Sequence, residues 1–135
     1  MPPSERDSIL IERILEDYET FTKRLEYSSM DEDKFCNDHS FEGEYAYDAV
    51  MNPLCRIVED VAHLSSSVTD ASPDFPWDKI VGFRNFIAHG YSQIDRRLVW
   101  DIIVGELPSL IAVLESAQQS DDKEPTSQSG NRPGR

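Results

Sequence analysis

Long apolar runs are missing from this 135-residue chain. Nothing approaches the roughly 20 consecutive apolar residues that a membrane-spanning helix needs, so no membrane segment is expected. The opening residues, MPPSERDS, hold no apolar core of the signal-peptide kind. Cysteine is also scarce. Cys36 and Cys55 are the only two, which excludes a disulfide framework and a cysteine-based metal site. They read as buried or half-buried free thiols in a reducing cytoplasm. No apolar/polar alternation of period two persists anywhere, so no sheet is expected, and there is no internal repeat.

Positive charge is the third scarcity. The chain has 13 Lys and Arg against 26 Asp and Glu, a net charge of −13. Such a chain repels polyanions at long range and cannot be a general nucleic-acid coat. The deficit is uneven. Residues 1–76 carry 6 cationic and 18 acidic side chains, whereas 77–100 carry Lys79, Arg84, Arg96 and Arg97 against only Asp78 and Asp95. Any phosphate ligand should therefore be met locally, and Lys79, Arg96 and Arg97 are candidate phosphate contacts.

What is present is helical periodicity. Ser4 or Asp7 can cap a first helix, whose stripe Ile11, Ile14, Leu15, Tyr18, Phe21 and Leu25 runs to about Tyr27. A polar connection follows, with Phe35 as its anchor and a short helical turn over 30–35. His39, alone in that connection, reads as a surface residue. A second long helix is expected over 42–66, kinked at Pro53. Tyr45 and Tyr47 should pack at its start and His63 should lie on its flank. A third helix is expected from Trp77 or Asp78 to Gly90. A fourth should cover 94–106, with Leu98, Val99, Ile102 and Ile103 inward. Pro108 should kink it or start a fifth. This spacing predicts an all-α, antiparallel bundle of four to five helices over 1–118. The polar remainder, 119–135, has too little apolar surface to order itself.

The third helix is the centre of interest. At about 100° per residue, Ile80, Phe83, Phe86, Ile87 and Gly90 share an inward face. Arg84, Asn85, Ala88, His89, Tyr91 and Ser92 share the outward one. Val81 is expected to be exposed and would suit a contact with a second subunit. A guanidinium, an amide, an imidazole and a phenol thus lie on one surface. Imidazole can take a proton from a ribose 2′-hydroxyl or give one to a leaving oxygen. Guanidinium can hold charge developing on a phosphoryl group. No metal-ligand spacing accompanies them, and no cofactor is expected. Arg84 and His89 diverge by about 140° on the wheel, so one helix alone closes no cleft. The same spacing also allows Arg84 merely to bridge to an acidic neighbour.

The run Arg84-Asn85-x-x-x-His89-x-Tyr91 resembles the Arg-x4-His-x-Tyr motif of HEPN-domain toxins of the HepT type. Trp77, Ile80 and Gly82 before it, and Ile94-Asp95, Val99-Trp100 and Leu107-Pro108 after it, extend the likeness. So do the first helix and the DEDKF segment, and the similarity covers about 8–116. Pro53 and the Glu59-Asp60 pair fit the family's second helix less closely. The resemblance implies the HEPN fold, a homodimer with two motif helices facing across a cleft, and a cytoplasmic toxin of a HEPN/MNT toxin–antitoxin system. It implies metal-independent endoribonuclease action on RNA, with Arg84 and His89 as the catalytic pair and Asn85 positioning the site. It also implies an MntA-like nucleotidyltransferase antitoxin that transfers AMP to Tyr91. A non-catalytic HEPN module, serving as the substrate- or nucleotide-binding subunit of a nucleotidyltransferase, is the alternative.

Overall fold

A computed structural model describes residues 4–90 and 94–123, with the backbone alone described at 88–90 and 120–123. The described residues are helical, without a strand: α1 (Glu5–Tyr27), α2 (Glu32–Asn37), α3 (Phe41–Ala62), α4 (Ser66–Thr69), α5 (Trp77–Gly90), α6 (Arg96–Gly105) and α7 (Leu107–Lys123). None is long and apolar enough to cross a membrane.

Local chemistry sets the ends. Ser4 caps α1, its hydroxyl accepting from the Asp7 amide at 3.1 Å. Ser40 does the same for α3 through the Gly43 amide, and Asp95 caps α6 through the amides of Arg97 and Leu98. Each satisfies an orphan donor of a first turn. The α6 cap explains why that helix starts at Arg96 rather than at Ile94. Pro108 sits in the first turn of α7, where its missing amide is no loss. The second long helix ends at Ala62, not at 66, and Ser65 then starts the single turn α4. The helical backbone reaches Lys123, past the expected boundary at 119, and 124–135 lie outside the described residues.

The helices α1 and α3 form an antiparallel pair pinned along its length. Ser65 donates its amide (2.9 Å) and hydroxyl (2.5 Å) to Asp7, Arg13 Nη2 donates to Asp60 (2.9 Å), Arg56 Nε donates to Asp17 (3.0 Å), and Arg24 Nη1 donates to the Ala49 carbonyl (2.8 Å). The last contact answers a question posed by the sequence. Pro53 has no amide hydrogen, so the carbonyl four residues earlier loses its helical partner. That carbonyl belongs to Ala49, and Arg24 occupies it from the neighbouring helix.

Ile11, Ile14 and Phe21 of α1 pack in one core with Val50, Leu54 and Ile57 of α3. Ile80, Phe83 and Ile87 of α5, Val99 and Ile103 of α6, and Leu110 and Leu114 of α7 complete it. Phe35 is fully buried, against the rings of Tyr47 (5.1 Å) and Trp100 (5.3 Å). Three expected inward residues are exposed instead. Tyr45 faces solvent while Tyr47 is buried. Phe86 and Leu98 also face solvent, on a shallow groove of about 380 Å³ shared with Gly82 and Ile102. No described element covers that flank of α5 and α6. Val81 is exposed, as its wheel position predicts.

Candidate functional site

Arg84 leaves α5 on its solvent side and meets α3. Its Nε and Nη2 donate to the two carboxylate oxygens of Glu59 at 2.8 and 3.1 Å, a bidentate pair. Its Nη1 donates to Asn85 Oδ1 at 3.3 Å. On the other side of Glu59, Oε2 lies 2.9 Å from His63 Nε2. One carboxylate therefore joins an arginine on α5 to a histidine one turn further along α3. The Arg84 bonds, and then the His63 bond, hold the Glu59 carboxyl down at about 2. The same Glu59 bonds raise Arg84 above its ordinary value, so both remain charged across the neutral range.

Next to this pair, Asp60 is buried and takes the Arg13 guanidinium. Burial pushes its carboxyl up in spite of Arg13, and its Oδ2 has no hydrogen-bond partner among the described residues. An open groove of about 480 Å³ runs past Arg6, Arg13, Asp60, Glu59 and His63.

The structure brings Arg84 and Asn85 together. His89 lies five residues after Arg84 in the same helix, and its side chain is outside the described residues, as is Tyr91 altogether. The other sequence-selected cations are engaged elsewhere. Lys79 pairs with Glu106 at 3.2 Å. Arg96 donates to Glu44 at 2.7 Å and to the Phe35 carbonyl, and stacks 3.6 Å over the Tyr47 ring. Its side chain is mostly enclosed, and it braces α6 against α2 and α3. Arg97 pairs with Glu32 of α2. None of the three shares a partner with Arg84.

Glu59 and His63 are what sequence reasoning did not select. A signal existed: they stand four residues apart, exposed, on a helix whose other face is apolar. Their chemistry came from α5, and no spacing within α3 points to that. Among the described residues no group of His, Cys, Asp and Glu is arranged to hold a metal ion. What remains is a half-exposed guanidinium fixed by its Nε edge. Nη2 donates one hydrogen to Glu59 and Nη1 one to Asn85, which leaves each of the two a second N–H to offer a phosphate oxygen.

Comparison with known proteins bears on what that arrangement serves. Residues 11–117 match the family described as Ribonuclease HepT-like. A Methanocaldococcus jannaschii protein named "Putative RNase" is 29% identical over 90 residues, which is 67% of this chain and 73% of that protein. A second protein of that organism with the same name is 30% identical over 86 residues, 60% of this chain and 70% of the relative. One from Caldanaerobacter subterraneus subsp. tengcongensis, again so named, is 31% identical over 62 residues, 46% and 55% of the two chains. No solved structure matches the chain.

Proposed function

Because this chain belongs to the HepT-like ribonuclease family, we propose that it is a metal-independent endoribonuclease in which Arg84 and His89 cleave RNA. The observation that supports this reading is the Arg84 guanidinium, carried on the same helix as His89 and held there by Glu59 of α3. His89 takes the proton of a ribose 2′-hydroxyl. The 2′-oxygen then attacks the adjacent phosphorus, and the bond to the 5′-oxygen breaks, that oxygen leaving with a proton. The products are a 2′,3′-cyclic phosphate and a 5′-hydroxyl. Arg84 offers its Nη1/Nη2 edge to the charge on the non-bridging oxygens, and Asn85 steadies that edge.

The wheel divergence of Arg84 and His89 makes a second subunit part of the same reading. Phe86 of α5 and Leu98 of α6 open one apolar groove to solvent, a surface suited to a homodimer. Biologically, we place the chain as the toxin of a HEPN/MNT pair, silenced when a nucleotidyltransferase antitoxin moves AMP from ATP onto Tyr91. The added phosphate would set negative charge and bulk where RNA phosphate must lie.

The test is expression of wild type and His89→Ala, each without a partner protein, followed by RNA cleavage in the presence of EDTA. Wild type is expected to cleave and His89→Ala to lose at least about a hundredfold in rate. A folded wild type of intact unmodified mass that leaves RNA whole would refute it. The second reading, a non-catalytic binding module, draws on the occupancy of Arg84 by Glu59. It predicts nucleotide binding by calorimetry with no cleavage.

A further inference from the structure

The largest groove described in the molecule is far from Glu59. It lies between the C-terminal end of α1 and the N-terminal half of α3, with a volume of about 1140 Å³. Large aromatic rings stand open to solvent there. Tyr27 is 94% exposed and Tyr45 is 69% exposed, and both line it. Phe41, 85% exposed, lies 6.1 Å from Tyr45, ring to ring. Burying such rings is normally favourable by about 1.5–3 kcal/mol each, so an open cluster of them marks a contact surface.

Two cations of this groove differ from most of those elsewhere. Lys23, Arg24 and Lys34 line it together with the acidic Glu42 and Asp48, a local excess of positive charge in a chain of net −13. Arg13, Arg56, Lys79, Arg84, Arg96 and Arg97 each donate to a carboxylate. Arg24 instead donates to the Ala49 carbonyl and Lys34 to the Ser28 carbonyl, neutral acceptors that leave the charge available. The third, Lys23, has only a long 3.7 Å pair with Glu19. A strip of exposed side chains at steps of three and four connects the groove to the candidate site: Tyr45, Asp48, Asn52, Arg56 and Glu59. Along α3 the fourteen steps from Tyr45 to Glu59 span about 21 Å.

Open aromatic rings interleaved with cations are the elements of a single-strand nucleic-acid platform. Bases stack on the rings and phosphates sit by the cations. We infer that this groove is an RNA exosite, in which unpaired bases stack on Tyr27 and Tyr45 and the backbone is held by Lys23, Arg24 and Lys34. The same strand runs along the exposed face of α3 to Arg84. The inference rests on the ribonuclease reading for its meaning, because the exosite selects single-stranded flanks of the bond to be cut. It also supplies what a strongly acidic chain otherwise lacks, a local hold on a polyanion.

The experiment uses the full chain and two probes, a single-stranded RNA dodecamer and a dinucleotide too short to reach from Arg84 to the groove. Cleavage is followed for both, and dodecamer binding is read by fluorescence anisotropy in a His89→Ala background. Tyr27→Ala/Tyr45→Ala should raise KM and Kd for the dodecamer by at least about fivefold. Its kcat and the cleavage of the dinucleotide should be unchanged. Tyr45→Phe, which keeps the ring, should behave as wild type. Lys23→Ala should lower the slope of log Kd against log salt by about 0.7. Both tyrosines are exposed, so an unchanged Tm is expected and checks the fold. A wild type that cleaves both probes, with the double variant equal to it on the dodecamer, overturns the exosite and leaves the ribonuclease reading intact. A wild type that cleaves neither but binds the dodecamer through Tyr27 and Tyr45 overturns the ribonuclease reading and upholds the groove. Absence of both cleavage and binding removes both, and assigns the rings to a protein partner instead.

Discussion

Replacing Glu59 by Gln keeps the shape of the side chain and removes the charge that holds Arg84 and His63. The Glu59 carboxyl sits at about 2 instead of its ordinary 4.5. Without solvent screening that displacement would correspond to about 3.5 kcal/mol, at about 1.4 kcal/mol for each tenfold step. The Glu59 side chain is 48% exposed, and solvent screening brings an ion pair of this kind to about 0.5–1 kcal/mol. The sign follows from the direction. A carboxylate whose folded value lies below its unfolded one contributes fully above about 4.5, and the contribution fades as pH falls from there toward about 2. The expected result is therefore a Glu59→Gln variant less stable than wild type by about 0.5–1 kcal/mol at pH 7. The two should converge only as pH falls to about 2 or below, and the pH 7 difference should shrink in 1 M salt, where the Debye length is about 3 Å. Urea unfolding at the two pH values and two salt concentrations measures it, with equal m-values required for the comparison. A difference that persists unchanged at low pH would refute the ion pair as its source. In cleavage assays the same variant should lose kcat, because Arg84 is no longer fixed along its Nε edge.

Three other perturbations follow from the packing. Gly43→Ala places a Cβ 2.5 Å from the Asp38 carbonyl oxygen; thermal unfolding should show a loss of about 1–3 kcal/mol, and an unchanged Tm would contradict it. Asp7→Asn leaves Ser65 and Ser4 without a charged acceptor and should cost about 1–3 kcal/mol. Burial pushes the Asp7 carboxyl up, but the Ser65 and Ser4 bonds outweigh it and hold it below 3.8, so this loss is present above that pH and fades below it. Arg24→Met should cost about 1 kcal/mol by orphaning the Ala49 carbonyl. In a Pro53→Ala background, where the helix supplies its own donor, the same change should cost much less, and a double-mutant cycle in urea reads the coupling; equal costs in both backgrounds would break the argument.

The sequence made some of this legible and hid the rest for definite reasons. Helices α1 and α5 could be read because their apolar residues keep the helical period, and Ser4 marks the start of α1. The end of α3 was overrun because Leu64 continues its apolar stripe by chance of spacing, past the cap at His63. Phe86 and Leu98 were placed inward because a wheel assumes neighbours on both flanks, and here no described element covers one of them. Asp7, a plausible cap from sequence, is instead the buried acceptor that ties α1 to Ser65, which only the fold can bring near. The Arg84, Asn85, His89 and Tyr91 set was visible as a motif. The partnership of Arg84 with Glu59 was not, because it depends on how far α3 is slid relative to α5.

The setting of α3 against α1 has determinants of its own. Two amphipathic helices can shift past each other by one turn, about 5.4 Å, and still meet with apolar faces, since hydrophobic contact is not directional. The α1–α3 pair has four polar fasteners that a one-turn shift would break together: Asp7 to Ser65, Arg13 to Asp60, Asp17 to Arg56 and Arg24 to Ala49. Their partners stay in step from one end to the other, like matched marks on two rulers. The arginine that fills the gap left by Pro53 thus helps fix the longitudinal setting of α3 against α1, and a carbonyl left open by a proline serves as one of the marks by which the two long helices are aligned.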